Sequence, residues 1–187
     1  MSFCRAEIPK TVVLINGRGG SGKDTVCDIA GKHYKTYTYS TITDVKDAAW
    51  HIGWRGGKES KDRAFLSDLK DLCTKYYDHP FNKAVEMYEC FVYSAYDVLF
   101  LHVREPEEIE KLRQYIKLDG RATVYTLLIQ SDRTAGPLGN HADDDVENYD
   151  YDFTFQNNYP LDQLDKEFTE FFRFMVFGME QGRNGGQ

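Results

Sequence analysis

The residues that can do chemistry in this chain sit together near its start. Gly17-Arg-Gly-Gly-Ser-Gly22-Lys23-Asp24-Thr25 fits the spacing G-x-x-x-x-G-K. A turn that wraps a string of phosphates must point backbone N–H groups inward, and side chains would block that approach. Gly17, Gly19, Gly20 and Gly22 meet this need, with Ser21 between them. Lys23 then offers a positive charge to β- and γ-phosphates. Asp24 stands where Ser or Thr is usual. Its carboxylate can hold Mg²⁺ directly or through water, Thr25 can supply a hydroxyl one position later, or Asp24 can simply complement the positive end of a helix.

Other candidates are cations that could converge on phosphate groups. Residues 55–63 carry Arg55, Lys58, Lys61 and Arg63, broken by Glu59 and Asp62. Arg63 leads this group because a guanidinium grips phosphate at two points. Lys46 and Asp68 join it as acceptor-site candidates, with Lys70 and Asp68 expected on the polar, solvent-facing side of one helix. Arg104 ends an apolar run, where ligands of open α/β sheets bind. Arg133 follows the next apolar run. Phosphoryl transfer rests on positioning and charge neutralisation, so Lys23, Arg63, Arg104 and Arg133 are the expected catalytic set. No Ser–His–Asp or Cys–His arrangement stands out.

These groups need elements to position them. Thr11–Ile15 is a short β-branched apolar run and reads as a buried parallel strand. Asp24–His33 reads as a helix, 37–39 as a short strand, and 43–52 as a helix ended by Gly53-Trp-Arg-Gly-Gly57. Phe65, Leu66, Leu69, Leu72, Cys73 and Tyr76 predict a helix over 60–76 with one apolar stripe. Further helices are expected at 83–94, 106–117 and 161–177, and further strands at 97–103, 122–130 and 152–155. Pro106 suits a first helical turn, and Gly178 suits a C-cap. Strands alternating with helices predict an α/β fold with a mainly parallel sheet. With the phosphate loop, this becomes a three-layer P-loop NTPase fold of about five strands.

The 187 residues suggest one domain, 1–180, with an acceptor-binding insertion at about 41–95, a lid at about 131–150 and a disordered tail at 181–187. Lysine and arginine number 23 against 30 acidic residues, a net charge of −7. That balance disfavours duplex nucleic acid as a partner, while a local cation cluster still suits a small phosphorylated acceptor. No apolar run approaches the roughly 20 residues needed to span a bilayer, and the first ten residues lack a signal-peptide core. Cys4, Cys27, Cys73 and Cys90 form no C-x-x-C pair, so idle thiols in a reducing cytoplasm are expected.

Ser21-Gly-Lys-Asp-Thr25 resembles the phosphate loop of phage-type deoxynucleoside monophosphate kinases and of the related animal-type phosphomevalonate kinases. H-V-R-E-P-E-E at 102–108 resembles the family's D-V-R-x-x-x-E element, with Arg104 and Glu108 on its Arg and Glu and His102 replacing its Asp. H-A-D-D at 141–144 resembles H-x-S-E. D-F-T-F-Q-N at 152–157, followed by Leu161 and Leu164, resembles the terminal D-x-x-I-x-N element. The resemblance runs from Thr11 to Phe174. It implies a Mg²⁺-dependent kinase passing the γ-phosphoryl of ATP to a (deoxy)nucleoside monophosphate, with Asn157 touching the adenine. The family's F-A-D-P-L-K element is replaced by S-T-I-T-D-V-K at 40–46, which puts Thr43 rather than Asp44 at the acidic position. A kinase of phosphomevalonate or dephospho-coenzyme A, or a nucleotide-binding switch, are the other readings.

Overall fold

The computed structural model describes residues 8–57, 59–134 and 145–178. One sheet holds β1 (Thr11–Asn16), β2 (Thr36–Ser40), β3 (Val98–His102), β4 (Thr123–Gln130) and β5 (Phe153–Gln156), in the order β2-β3-β1-β4-β5. Every pairing is parallel, so the sheet is more uniform than the expected "mainly parallel" one. The helices among the described residues are α1 (Lys23–His33), α2 (Thr43–His51), α3 (Ser60–Tyr77), α4 (His79–Val92), α5 (Pro106–Asp119) and α6 (Leu161–Arg173). A π-helical turn, Phe174–Gly178, continues α6.

All six residues of β1 are buried, as a central strand covered on both faces must be. Its alternation divides the core in two. Val13 and Ile15 join Val98, Phe100, Leu127 and Ile129 under α1 and α6, while Val12 and Leu14 join Leu99 and Leu101 under α4 and α5. Leu164, Phe168 and Phe172, spaced by four, form the buried stripe of α6. The layers are thus helix, sheet, helix, an α/β architecture as the sequence predicts. From β1 the chain steps past β3 to β2, and later returns to the other side of β1 for β4. The carboxyl end of β1 is therefore a point where strand order reverses, the place where open α/β sheets bind their ligands.

Start and stop signals account for the helix bounds. In α3, Glu59 and Asp62 form a reciprocal capping box. In α5, Pro106, Glu107 and Glu108 occupy the first turn and Gly120 ends the helix at φ +73°.

Helix α3 departs from the sequence reading. Its apolar stripe is largely uncovered: Phe65, Leu72 and Tyr76 are exposed. The residue it buries is Lys70, which was expected to face solvent beside Asp68. The Lys70 ammonium pairs with Glu105, and with Glu108 at 2.9 Å, both at the start of α5. Two carboxylates on one helix end supply the charge that lets a lysine be buried, a pairing invisible along the sequence. Burial pushes the Glu108 carboxyl up to about 7 against the pull of Lys70. Burial acts on Glu105 the same way, but there the Lys70 ammonium wins and holds it below the usual range.

Lys70→Ala leaves two carboxylates with no counter-charge and should cost about 3 kcal/mol at pH 7, measured by urea unfolding. Both carboxyls would then titrate higher when folded than when unfolded. Their protonated forms favour the fold, so the deficit should shrink as pH falls from about 7 toward 5. A deficit that holds constant or grows on acidification would exclude this account.

Candidate active site

The phosphate loop is held from outside by residues that leave its interior open. Asn16, the last residue of β1, is fully buried. Its Oδ1 accepts from the Gly17 N–H at 2.8 Å, and its Nδ2 donates to the Arg104 carbonyl and to the Tyr151 hydroxyl, both at 2.8 Å. Tyr151 in turn donates to the Val146 carbonyl at 2.8 Å. One amide thus ties the loop to the carboxyl end of β3 and to the chain before β5.

Glycine is required at two of the loop positions. Gly17 and Gly22 have φ of +148° and +93°. A Cβ at Gly17 would strike the Ile129 carbonyl, and one at Gly22 would strike the Asn157 amide. Ser21 is buried, and its Oγ has no hydrogen-bond partner among the described residues. An orphaned hydroxyl inside a glycine cradle fits a phosphate oxygen. The Lys23 ammonium sits within the loop, donating to the carbonyls of Gly17 and of Arg18, the latter at 3.0 Å.

Asp24 opens α1 with its carboxylate 95% exposed, and the imidazole of His102, at the end of β3, lies 3.8 Å away through Nδ1. Burial holds the His102 pKa down to about 4. Asp24 opposes that shift, while Lys23, Arg104 and Lys46 reinforce it. At neutral pH the ring is therefore uncharged. Three expected cations, Lys23, Lys46 and Arg104, thus lie near enough to His102 to act on its charge. Thr25 is half-buried one residue along from Asp24. The exposed Asp24 carboxylate is an oxygen donor of the kind that fits a divalent cation keeping most of its waters.

The remaining expected residues are placed differently. Arg55 donates to the carbonyls of Trp50 and Trp54 at 2.8 and 2.9 Å and lies over the Trp50 ring, so it closes the turn after α2. Arg63 and Asp68 are exposed on α3. Arg133 donates to the Ser131 hydroxyl and the Asn157 carbonyl, both at 3.1 Å. Asn157 is buried, and its Nδ2 donates to the Ser21 carbonyl at 2.7 Å, so its amide holds the phosphate loop. Glu108, matched to the family's Glu, takes Lys70 as its partner. Lys58, His141, the middle half of the expected lid (135–144) and the whole expected tail (181–187) lie outside the described residues.

Between Asp132–Arg133 and Asn158–Pro160 is a cleft of about 390 Å³, also lined by Tyr159. Its walls are stapled together, since Asn158 accepts from the Asp132 N–H and donates to the Asp132 carboxylate, each at 2.9 Å. A second cavity, of about 210 Å³, lies beside the loop between Arg18, Ser131, Thr134 and Glu147.

Sequence reasoning did not single out Asn16 or Tyr151, and it named Asp44 only as one position off the family's acidic place, without the trio that it forms with Tyr39 and His79. In that trio Asp44 accepts from the Tyr39 hydroxyl at 3.2 Å and from His79 Nε2 at 2.9 Å. Asn16 was findable, because a polar residue closing a fully apolar strand needs partners. The trio was not, since His79 is 35 residues from Asp44.

No protein-family model and no curated protein sequence matches the chain. Solved structures match in fold. A protein from Chloroflexus aurantiacus assigned as a kinase aligns with a TM-score of 0.54 at 11% identity, over 90% of this chain and 97% of that one. A sugar kinase from Janibacter sp. aligns with a TM-score of 0.51 at 12% identity, over 90% and 96%. The chain shares the α/β fold of these kinases. At such identities the likeness establishes the fold and not the substrate.

Gly22→Ala should destabilise the protein both through its left-handed backbone and through collision with the Asn157 amide. Asn157→Ala should cost about 1–3 kcal/mol by stranding the Ser21 carbonyl. The two effects share one contact, so the double variant should lose less than the sum of the single losses in urea unfolding. Strict additivity would show that Asn157 does not hold the loop.

Proposed function

We propose that the protein is a small-molecule kinase that transfers the γ-phosphoryl of ATP, with Mg²⁺, to a phosphorylated acceptor of the (deoxy)nucleoside monophosphate class. The observation that carries this reading is the glycine cradle around Ser21 and Lys23, set at the strand-order reversal, with Lys46 and Arg104 near enough to the His102 ring to act on its charge. The fold shared with kinases supports it. A small set of converging positive groups around a reacting phosphoryl is what such transfer needs.

In this reading the loop amides and Lys23 hold the β- and γ-phosphates, and Asp24 holds Mg²⁺. Bound there, the ion neutralises charge on the transferred group. The base of the nucleotide lies in the cleft between Arg133 and Pro160, whose volume suits a ligand of that size. Asn157 then serves the nucleotide through the loop rather than through the ring. Arg104 and Lys46 face the acceptor phosphate, with Arg63 and Asp68 on the lobe formed by α2 and α3. The acceptor assignment is supported by the resemblance of residues 21–25 and 102–108 to deoxynucleoside monophosphate kinases. No helix among the described residues is long and apolar enough to cross a membrane, and a cytoplasmic location is part of the proposal.

ADP release from ATP and Mg²⁺ should depend strongly on an added acceptor, with a nucleoside monophosphate giving the largest response in a panel that includes phosphomevalonate and dephospho-coenzyme A. Lys23→Ala should lower that turnover about a hundredfold or more while leaving the unfolding midpoint near that of the parent. ATP binding with no acceptor-dependent release would replace the kinase with a nucleotide-binding switch. A response confined to phosphomevalonate or dephospho-coenzyme A would replace the acceptor class.

A further inference from the structure

The lobe after β2 keeps a feature that the proposed reaction leaves unused. Trp50 and Trp54 are the chain's two tryptophans, and Trp50, in the last turn of α2, is 54% exposed. A single exposed apolar residue needs no explanation, but this ring is held in place. The Arg55 guanidinium lies 5.0 Å from the ring centre and is itself tied down, donating to the carbonyls of Trp50 and Trp54 at 2.8 and 2.9 Å. One face of the indole is thereby fixed against a cation while half of the residue meets solvent. Lys46 precedes Trp50 by four residues in the same helix, so the two side chains are neighbours on one face of α2. Lys46 also lies near enough to His102, at the end of β3, to act on its charge. The Lys46 turn of α2 is thus the one toward the strand ends, and Trp50 stands one turn, about 5.4 Å, along the helix from it. That step is comparable with the sugar that separates the phosphate of a nucleotide from its base.

We propose that Trp50 is the platform on which the nucleobase of the acceptor stacks, with Lys46 on the acceptor phosphate and Arg55 holding the ring. The inference rests on the nucleoside monophosphate reading above. An exposed indole with one cation against it and another a turn away suits a ligand that joins an aromatic plane to a negative charge. Every base has a face to stack, so the platform adds affinity for a base without choosing among bases. Arg55 is then a positioning residue, its charge spent on its own turn to keep the indole in one place. A phosphorylated acceptor without a ring, such as phosphomevalonate, gains nothing from Trp50.

The test uses the full chain with Mg²⁺ and a saturating non-hydrolysable ATP analogue, so that added monophosphates meet only the acceptor site. Deoxythymidine and deoxyguanosine monophosphates should quench the tryptophan emission saturably, and deoxyribose 5-phosphate, which lacks a base, should not. In Trp50→Phe only Trp54 emits, so the quench should vanish while calorimetry finds an affinity near that of the parent, because a ring remains. Trp50→Leu removes the ring from an exposed position and should weaken both monophosphates about tenfold, with the affinity for the ATP analogue unchanged. Monophosphates that bind Trp50→Leu as tightly as the parent, or that leave the parent's emission unchanged, overturn the platform alone. A parent that binds the ATP analogue but no monophosphate overturns the platform together with the acceptor reading beneath it. The loss of quench is read in Trp50→Phe, which keeps a ring, so a poorly folding Trp50→Leu leaves the test intact.

Discussion

A phosphate loop turns its amide donors inward, and this leaves its carbonyls facing the protein, where each needs a donor. The structure answers that demand from three directions. Lys23 covers the carbonyls of Gly17 and Arg18 from within, and Asn157 covers that of Ser21 from the end of β5. Asn16 settles the first amide of the loop and reaches across to β3. Removing either asparagine would leave a buried polar group without a partner, a penalty of about 1–3 kcal/mol. The sheet order follows from the same demand, because β1 can offer its end to residues of β3, β4 and β5 only from the centre of a parallel sheet.

Charge is arranged by place rather than by total. The chain carries a net −7, yet Lys23, Lys46 and Arg104 all act on the His102 ring at the end of β3. Acidic residues are set against cations elsewhere, as with Glu105 and Glu108 around Lys70, and Asp152 and Arg113. Lys70 carries a mechanical consequence. It is the buried residue of α3, so the lobe made by α2 and α3 is joined to α5 by an ion pair more than by apolar packing. The uncovered Phe65, Leu72 and Tyr76 are the counterpart of that choice.

Much of the fold was legible because its elements carry local signals. Val12–Ile15 is apolar throughout, as only a doubly covered strand is, and α6 repeats its apolar residues at helical spacing. The phosphate loop was legible because glycine at positions 17 and 22 answers a local backbone demand. What stayed hidden depends on partners far along the chain. Helical periodicity could place Lys70 on a face but could not reveal two carboxylates 35 and 38 residues away. Asn157 carried a motif resemblance that pointed to the base, whereas its amide turned inward to Ser21, a contact spanning 136 residues. Arg55 shows the opposite limit. Its charge suggested a ligand, but its nearest acceptors were carbonyls of its own turn.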